Sequence, residues 1–321
     1  MDKTKDKNAV SKKNSAKGKY SKDSALKNFF GNPQIFKDII NGICFDGQDV
    51  VKAEYLKPYS TESNSKTKYG NKRLVRDCAM EWKMGDVSIS IFGIENQTKK
   101  CEEMLGRVLM YDGSDIITHI RQMTAKEKKN RITCIPSITI VFYTGREDWE
   151  LMENIKDLYD FSNIPLEIKD KVTKLFSHRD YNVIFFPLKK LEKSELFKFK
   201  GDSKIVINHL MEYSKHTDEE YNALDQVLER SDLVLDVLDA FSKTNEWSEA
   251  FESLEEDDGM RKEEITMCDI LKKIKGSSET ERLKAEEKSR KLEEETRKAN
   301  AIIAEKDKEI AELKRLLEQQ K

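Results

Sequence analysis

No stretch of this chain approaches the ~18 consecutive apolar residues that a membrane-spanning helix needs, so no span and no membrane partner is expected. Cysteine is sparse: Cys44, Cys78, Cys101, Cys134 and Cys268 stand singly, without a CxxC or a close Cys/His pairing. A disulfide framework or zinc site is therefore not expected, and a reducing cytoplasm fits better. Neither sign of charge dominates. A net charge of -2 argues against a uniformly basic coat, so any nucleic-acid contact has to be a local patch. The Lys-rich N-terminus lacks the apolar segment of a signal peptide. Walker loops, GxGxxG and helix-turn-helix signatures are missing. His119, His178, His209 and His216 do not cluster, and no cysteine has a paired histidine in a recognisable motif. Histidine- and cysteine-based catalysis are set aside, and the chain reads as soluble and cytoplasmic.

What is present is charge: 37% of the 321 residues, with a mean hydropathy of -0.72. It is concentrated at the two ends, leaving a core-forming composition between about Ala25 and Val206. Residues 1–27 read as a Lys-rich disordered tail, because too little apolar surface is available there to offset ordering entropy. A solvated arm and a nonspecific, salt-dependent DNA contact are both open for it. A helix is expected after Asn32-Pro33, with Ile35, Phe36, Ile39, Ile40 and Ile43 on one face and a turn at residues 44–47. Residues 59–72 read as a polar loop. Leu74–Met84 and Val87–Gln97 read as strands of a hairpin turning at Gly85-Asp86. Residues 101–121 read as a helix, through Met104, Leu105, Val108, Leu109, Ile116, Ile117 and Ile120. Further strands are expected at 132–143 and 181–187, with irregular, partly helical connections over 149–177.

Residues 201–275 have helical spacing, and Gly276-Ser277-Ser278 reads as a break. The charged run of 276–321 follows, with Leu283, Leu292, Ala299, Ile303, Ile310, Leu313 and Leu317 near a heptad spacing. It reads either as a short coiled coil that makes a homo-oligomer or as a single solvated helix, since several seam positions would be Lys, Thr or Ser.

Asp77 and Glu95 each stand inside an apolar run of the expected hairpin, where an unpaired carboxylate costs several kcal/mol. If cross-strand partners sum to 170, Asp77 faces Gly93 and lies diagonal to Glu95, ~7–8 Å away. A strict two-residue turn gives 171 and puts Glu95 on the other face. In the first register the two carboxylates can close on one divalent cation, with the Asn96 backbone carbonyl completing its shell and Gln97 beside a nucleophilic water. In the other reading Asp77 pairs with Arg76 or Lys83, and Glu95 ends a strand at the surface. Arg107 and Tyr111, at i and i+4, either reach a phosphate backbone or pack on the helix flank and sheet. Lys72 and Arg73, with Lys66 and Lys68, lie just before Asp77 and are placed to meet phosphates.

Arg76-Asp77-Cys78-Ala79-Met80 and Ile94-Glu95-Asn96-Gln97-Thr98 resemble the core signature of the PD-(D/E)XK nuclease superfamily. More narrowly they resemble the Rpn-like recombination-promoting nucleases, also called transposase-like proteins. Supporting segments are Ile40 to Gly47, Met104 through Arg107 to Tyr111, Ile138 to Gly145 with Trp149, and Met267-Cys268. The resemblance runs from about Asn28 to Cys268. It implies an α/β, restriction-endonuclease-like mixed central sheet flanked by helices over 28–200, followed by the helical segment and short coiled coil. It implies a DNA endonuclease dependent on Mg²⁺ or Mn²⁺, with Asp77 and Glu95 as metal ligands and a role in DNA recombination. Gln97 stands where many of the superfamily have a catalytic Lys, and Asp38 is the nearest candidate for a further acidic residue on the first helix. RNA stays open as a target. The rival class is a catalytically lapsed DNA-binding or coiled-coil assembly protein.

Overall fold

The computed structural model describes residues 20–67, 70–177, 180–215, 226–256 and 258–319. Residues 1–19 of the expected tail lie outside them. Its last part, however, is a helix, α1 (Lys22–Phe30), and this corrects the tail boundary at 27. Ser21 caps α1 by accepting from the Ser24 amide, and Ala25, Leu26, Phe29 and Phe30 bury one face. Asn32 then caps α2 (Pro33–Cys44), whose Ile35, Phe36, Ile39 and Ile40 are buried beside them. Within α2, Asn41 holds the following chain through two 2.9 Å hydrogen bonds with the Val51 backbone.

The strands follow as β1 (Leu56–Pro58), β2 (Glu62–Thr67), β3 (Gly70–Val75), β4 (Cys78–Met84) and β5 (Val87–Gln97). The expected loop over 59–72 is thus largely a hairpin, β2 pairing with β3, which its polar composition concealed. The expected strand at 74–84 is interrupted: Arg76 and Asp77 form a break between β3 and β4. Helices α3 (Met104–Gln122) and α4 (Ala125–Asn130) lead to β6 (Ser137–Tyr143), α5 (Leu166–Phe176) and β7 (Ile184–Pro187). Five strands form one mixed sheet in the order β1-β4-β5-β6-β7. β1, β4 and β5 pair antiparallel, while β5, β6 and β7 run parallel.

Alternation along the strands supplies the two layers. Phe92, Ile94, Ile140 and Phe142 pack with α1, α2 and the helices after the sheet. Val141 and Tyr143 face the other way and pack with Met104, Leu105 and Val108 of α3. The later helices are α6 (Gly201–Lys215), α7 (Ser231–Ser242), α8 (Glu246–Glu256) and α9 (Met267–Gln319). One hydrophobic cluster runs from Ala25 to Ile270, so α6, α7, α8 and the start of α9 share the core of the sheet. Gly276-Ser277-Ser278 does not break α9, which continues as helix for 53 residues. Leu283 and Leu292 are exposed on it. The side chains of Ala299, Ile303, Ile310, Leu313 and Leu317 lie outside the described residues. No helix among the described residues is long and apolar enough to cross a membrane.

Candidate functional site

The hairpin register decides what Asp77 and Glu95 can do together. At the turn Met84 pairs with Val87, a sum of 171, and Gly85 takes the first turn position at φ 59°, where glycine is unstrained. Between Trp82 and Lys83 a bulge inserts Ile89, and beyond it Ala79 pairs with Gly93 and Cys78 with Ile94. The expected pairing of Asp77 with Gly93 is therefore corrected by two positions. Asp77 lies one residue past the end of β4 and level with Glu95.

β4 has ended there, so the Asn96 amide has lost its ladder partner. Asp77 replaces that partner, its Oδ2 accepting from the Asn96 N–H at 2.9 Å. A strand residue directs its N–H and C=O to the same neighbour, so the Asn96 carbonyl is turned toward the same gap beyond β4. Asp77 Oδ1 pairs with Lys27 Nζ of α1 at 2.9 Å. Neither Arg76 nor Lys83 holds Asp77, since Lys83 lies 3.5 Å from Glu81 and Arg76 turns to α3.

Glu95 faces α3 and is fully buried, at 0% exposure. Its Oε2 accepts from Arg107 Nη2 at 3.1 Å, with the Gln97 amide at 3.5 Å, and its Oε1 is buried without a partner among the described residues. Burial, together with the Asp77 charge, pushes the Glu95 carboxyl up to about 7 against the pull of Arg107. Arg107 is held firmly as a cation, and it also donates to Tyr111 Oη at 3.0 Å. Tyr111 donates in turn to the Val75 carbonyl at 3.1 Å, and burial raises its phenol to about 12. Tyr111 is fully buried, which overturns a DNA contact through it. Arg107 is turned inward onto Glu95.

Asp38 stays apart. It pairs with its neighbour Lys37 at 3.3 Å and feels Lys200 and Glu229, not the hairpin. Lys72 and Arg73 lie on β3, paired with Ser65 and Asn64.

Sequence reasoning missed the role of Lys27 here, and it offered Arg76 only as a partner for Asp77. Arg76 is 2% exposed; its Nη2 lies 2.7 Å from Asp115 and 3.7 Å from Asp112, both on α3. Ser137, Thr139 and Tyr181 complete the hydrogen bonding of those carboxylates, with Tyr181 2.5 Å from Asp112. The Arg76 side chain crosses directly over Gly93, where an added Cβ would stand 2.4 Å from Arg76 Cδ. A glycine inside an otherwise apolar strand is the sequence signal of such a close approach. Gly93→Ala should therefore cost about 1–3 kcal/mol, read as a lowered urea midpoint at unchanged slope. A variant as stable as the parent would mean that Arg76 can move aside.

As a cation site this set is small. Among the described residues no three or more His, Cys, Asp or Glu side chains are gathered in a metal-holding arrangement. Two carboxylates and a backbone carbonyl are fewer ligands than a hard cation takes, so most of the shell of an ion such as Mg²⁺ would have to come from waters. Comparison with protein-family models, curated proteins and solved structures gives no match.

Proposed function

We propose that this protein is a metal-dependent endonuclease that hydrolyses phosphodiester bonds in DNA. The observation that carries the reading is the placement of Asp77 level with Glu95 at one end of the β4–β5 hairpin. The unpartnered Glu95 Oε1 and the direction of the Asn96 carbonyl support it further. The mixed sheet, with its antiparallel hairpin leading through α3 to a parallel strand, supports the restriction-endonuclease-like version of the fold. Asp77, Glu95 and the Asn96 carbonyl would hold Mg²⁺ or Mn²⁺. When bound, such an ion polarises the phosphoryl oxygen and acidifies a water. Asp77 retains free lone pairs on both oxygens beyond its bonds to Lys27 and Asn96. Arg107 fixes the Glu95 carboxylate in place, and Gln97 offers a neutral amide beside it to orient water. A role in recombination rests on the resemblance alone, as do DNA over RNA and the Rpn-like assignment.

The rival reading is a nuclease-like domain serving only to bind DNA, with α9 driving association of copies. The complete burial of Glu95 against Arg107 favours it, because that carboxyl then serves as an internal ion-pair member. Nicking of supercoiled plasmid decides. With Mg²⁺ or Mn²⁺ the parent should nick, and Asp77→Ala and Glu95→Ala should lose at least about a hundredfold in rate while melting cooperatively. Folded variants that cut at the parental rate would overturn the nuclease reading. A parent that retards DNA in a gel but never nicks it would establish the rival.

A further inference from the structure

Phosphodiester hydrolysis builds negative charge on the phosphoryl and leaving oxygens, and hydrogen-bond donors already in position stabilise it. Few groups at this site can serve. Arg107 is committed to Glu95 and Tyr111, and Gln97 is neutral. Lys27 differs from both. Its Nζ lies 2.9 Å from Asp77 Oδ1 and 3.1 Å from Asp23 Oδ2, yet its side chain is 39% exposed. An ammonium has three N–H donors, so two are used and one remains for an oxygen arriving from solvent. The helix carrying it is anchored by the buried Leu26, Phe29 and Phe30, which makes α1 a rigid mount for the amine.

We infer that Lys27 is the phosphate ligand of this site, donating to a non-bridging oxygen of the scissile phosphodiester from the helix that also holds Asp77. This rests on the nuclease reading above. In the hydrolysis the water oxygen bonds to phosphorus and one P–O ester bond breaks, its electron pair staying on the departing oxygen. The water gives up one proton, and the departing oxygen gains one. Lys27 remains an ammonium throughout: it donates a hydrogen bond, not its proton. An ion pair with Asp77 alone would also explain the contact, so the test needs a readout that a purely structural role leaves unmoved.

The full chain is assayed as parent, Lys27→Met and Lys27→Arg, by plasmid nicking in Mg²⁺ and by duplex-DNA binding in EDTA over a range of salt. Lys27→Met should melt normally and lose about a hundredfold in kcat. The slope of log affinity against log salt should fall by about one, the signature of a lost phosphate contact. Lys27→Arg should recover that slope and part of the rate. Lys27→Met nicking at the parental rate, beside an active parent, overturns the inference and leaves the nuclease reading standing. A slow Lys27→Met with the parental salt slope overturns it too, whatever Lys27→Arg recovers, assigning Lys27 to holding Asp77. A parent that never nicks removes both. Should Lys27→Met fail to fold, Lys27→Gln, which keeps a donor but no charge, carries the same decision: a salt slope lower by about one supports the inference and the parental slope overturns it.

Discussion

Replacing Arg76 with methionine should lower the stability of the fold by about 3–5 kcal/mol, the range for stripping one partner from a buried ion pair. The guanidinium is the cation held against Asp112 and Asp115, and its removal leaves two buried carboxylates without charge compensation. Burial already pushes the Asp112 carboxyl upward despite the hydrogen bonds from Tyr181 and Thr139. The loss compares with a total of roughly 5–15 kcal/mol for an ordinary domain, so partial unfolding at 37 °C is expected. Urea denaturation of the single variant, and of Arg76→Met combined with Asp115→Leu, separates the causes. The double variant should recover part of the loss, since an apolar set in place of a buried charge cluster is often tolerated. A single variant within about 0.5 kcal/mol of the parent would refute the account, because that is the ordinary effect of a surface substitution.

The second large effect is a dependence on pH. Glu95 titrates near 7 in the folded chain, whereas in an unfolded chain it titrates near the ordinary glutamate value of about 4.3. Between these values the folded state binds more protons than the unfolded one. The slope of stability against pH is then negative: stability contributed by protonated Glu95 is full below about pH 4.5 and declines until about pH 7. The expected loss is on the order of 3 kcal/mol, and the curve flattens above it. Glu95→Gln has no proton to lose there, so its stability relative to the parent should improve by a similar amount from pH 4.5 to pH 8. Denaturant melts of both proteins in EDTA at these two pH values measure it. Parallel pH profiles would show that Glu95 stays ionised throughout.

Much of the sheet was legible because its strands carry strong local signals. Val87–Gln97 has the bounds of β5, and residues 33–43 and 101–121 fall on α2 and α3. What escaped was either polar or non-local. In α1 the four buried residues Ala25, Leu26, Phe29 and Phe30 are embedded in a Lys- and Asn-rich stretch, so composition outweighed periodicity. The β2–β3 hairpin is built of Ser, Asn, Lys and Thr, and its pairing is a backbone property with little side-chain signature. The acidic pair was visible as carboxylates in apolar runs, but the Lys27 partner of Asp77 was not, nor were the carboxylates that hold Arg76. Lys27 lies fifty positions before Asp77, and Arg76 reaches a helix thirty-nine positions further on. No local pattern encodes such distant pairings. Gly93 was the nearest thing to a clue, and its meaning depends on knowing what crosses it.

The bulge at Ile89 makes chain length as consequential here as residue identity. Distance along β4 and β5 is counted from the turn, so one extra residue on one strand shifts everything beyond it by a full position. Deleting Ile89 alone would remove only the unpaired residue: Lys83 would still meet Ser88, Trp82 would still meet Ser90, and Asp77 would stay level with Glu95. A residue removed from β4 between the turn and Asp77, with Ile89 kept in its bulge, would instead carry Asp77 out of step with Glu95 by one position. The bulge is therefore the place in this hairpin where a residue can be lost without moving the carboxylates, while changes of length elsewhere in it should survive in compensated pairs.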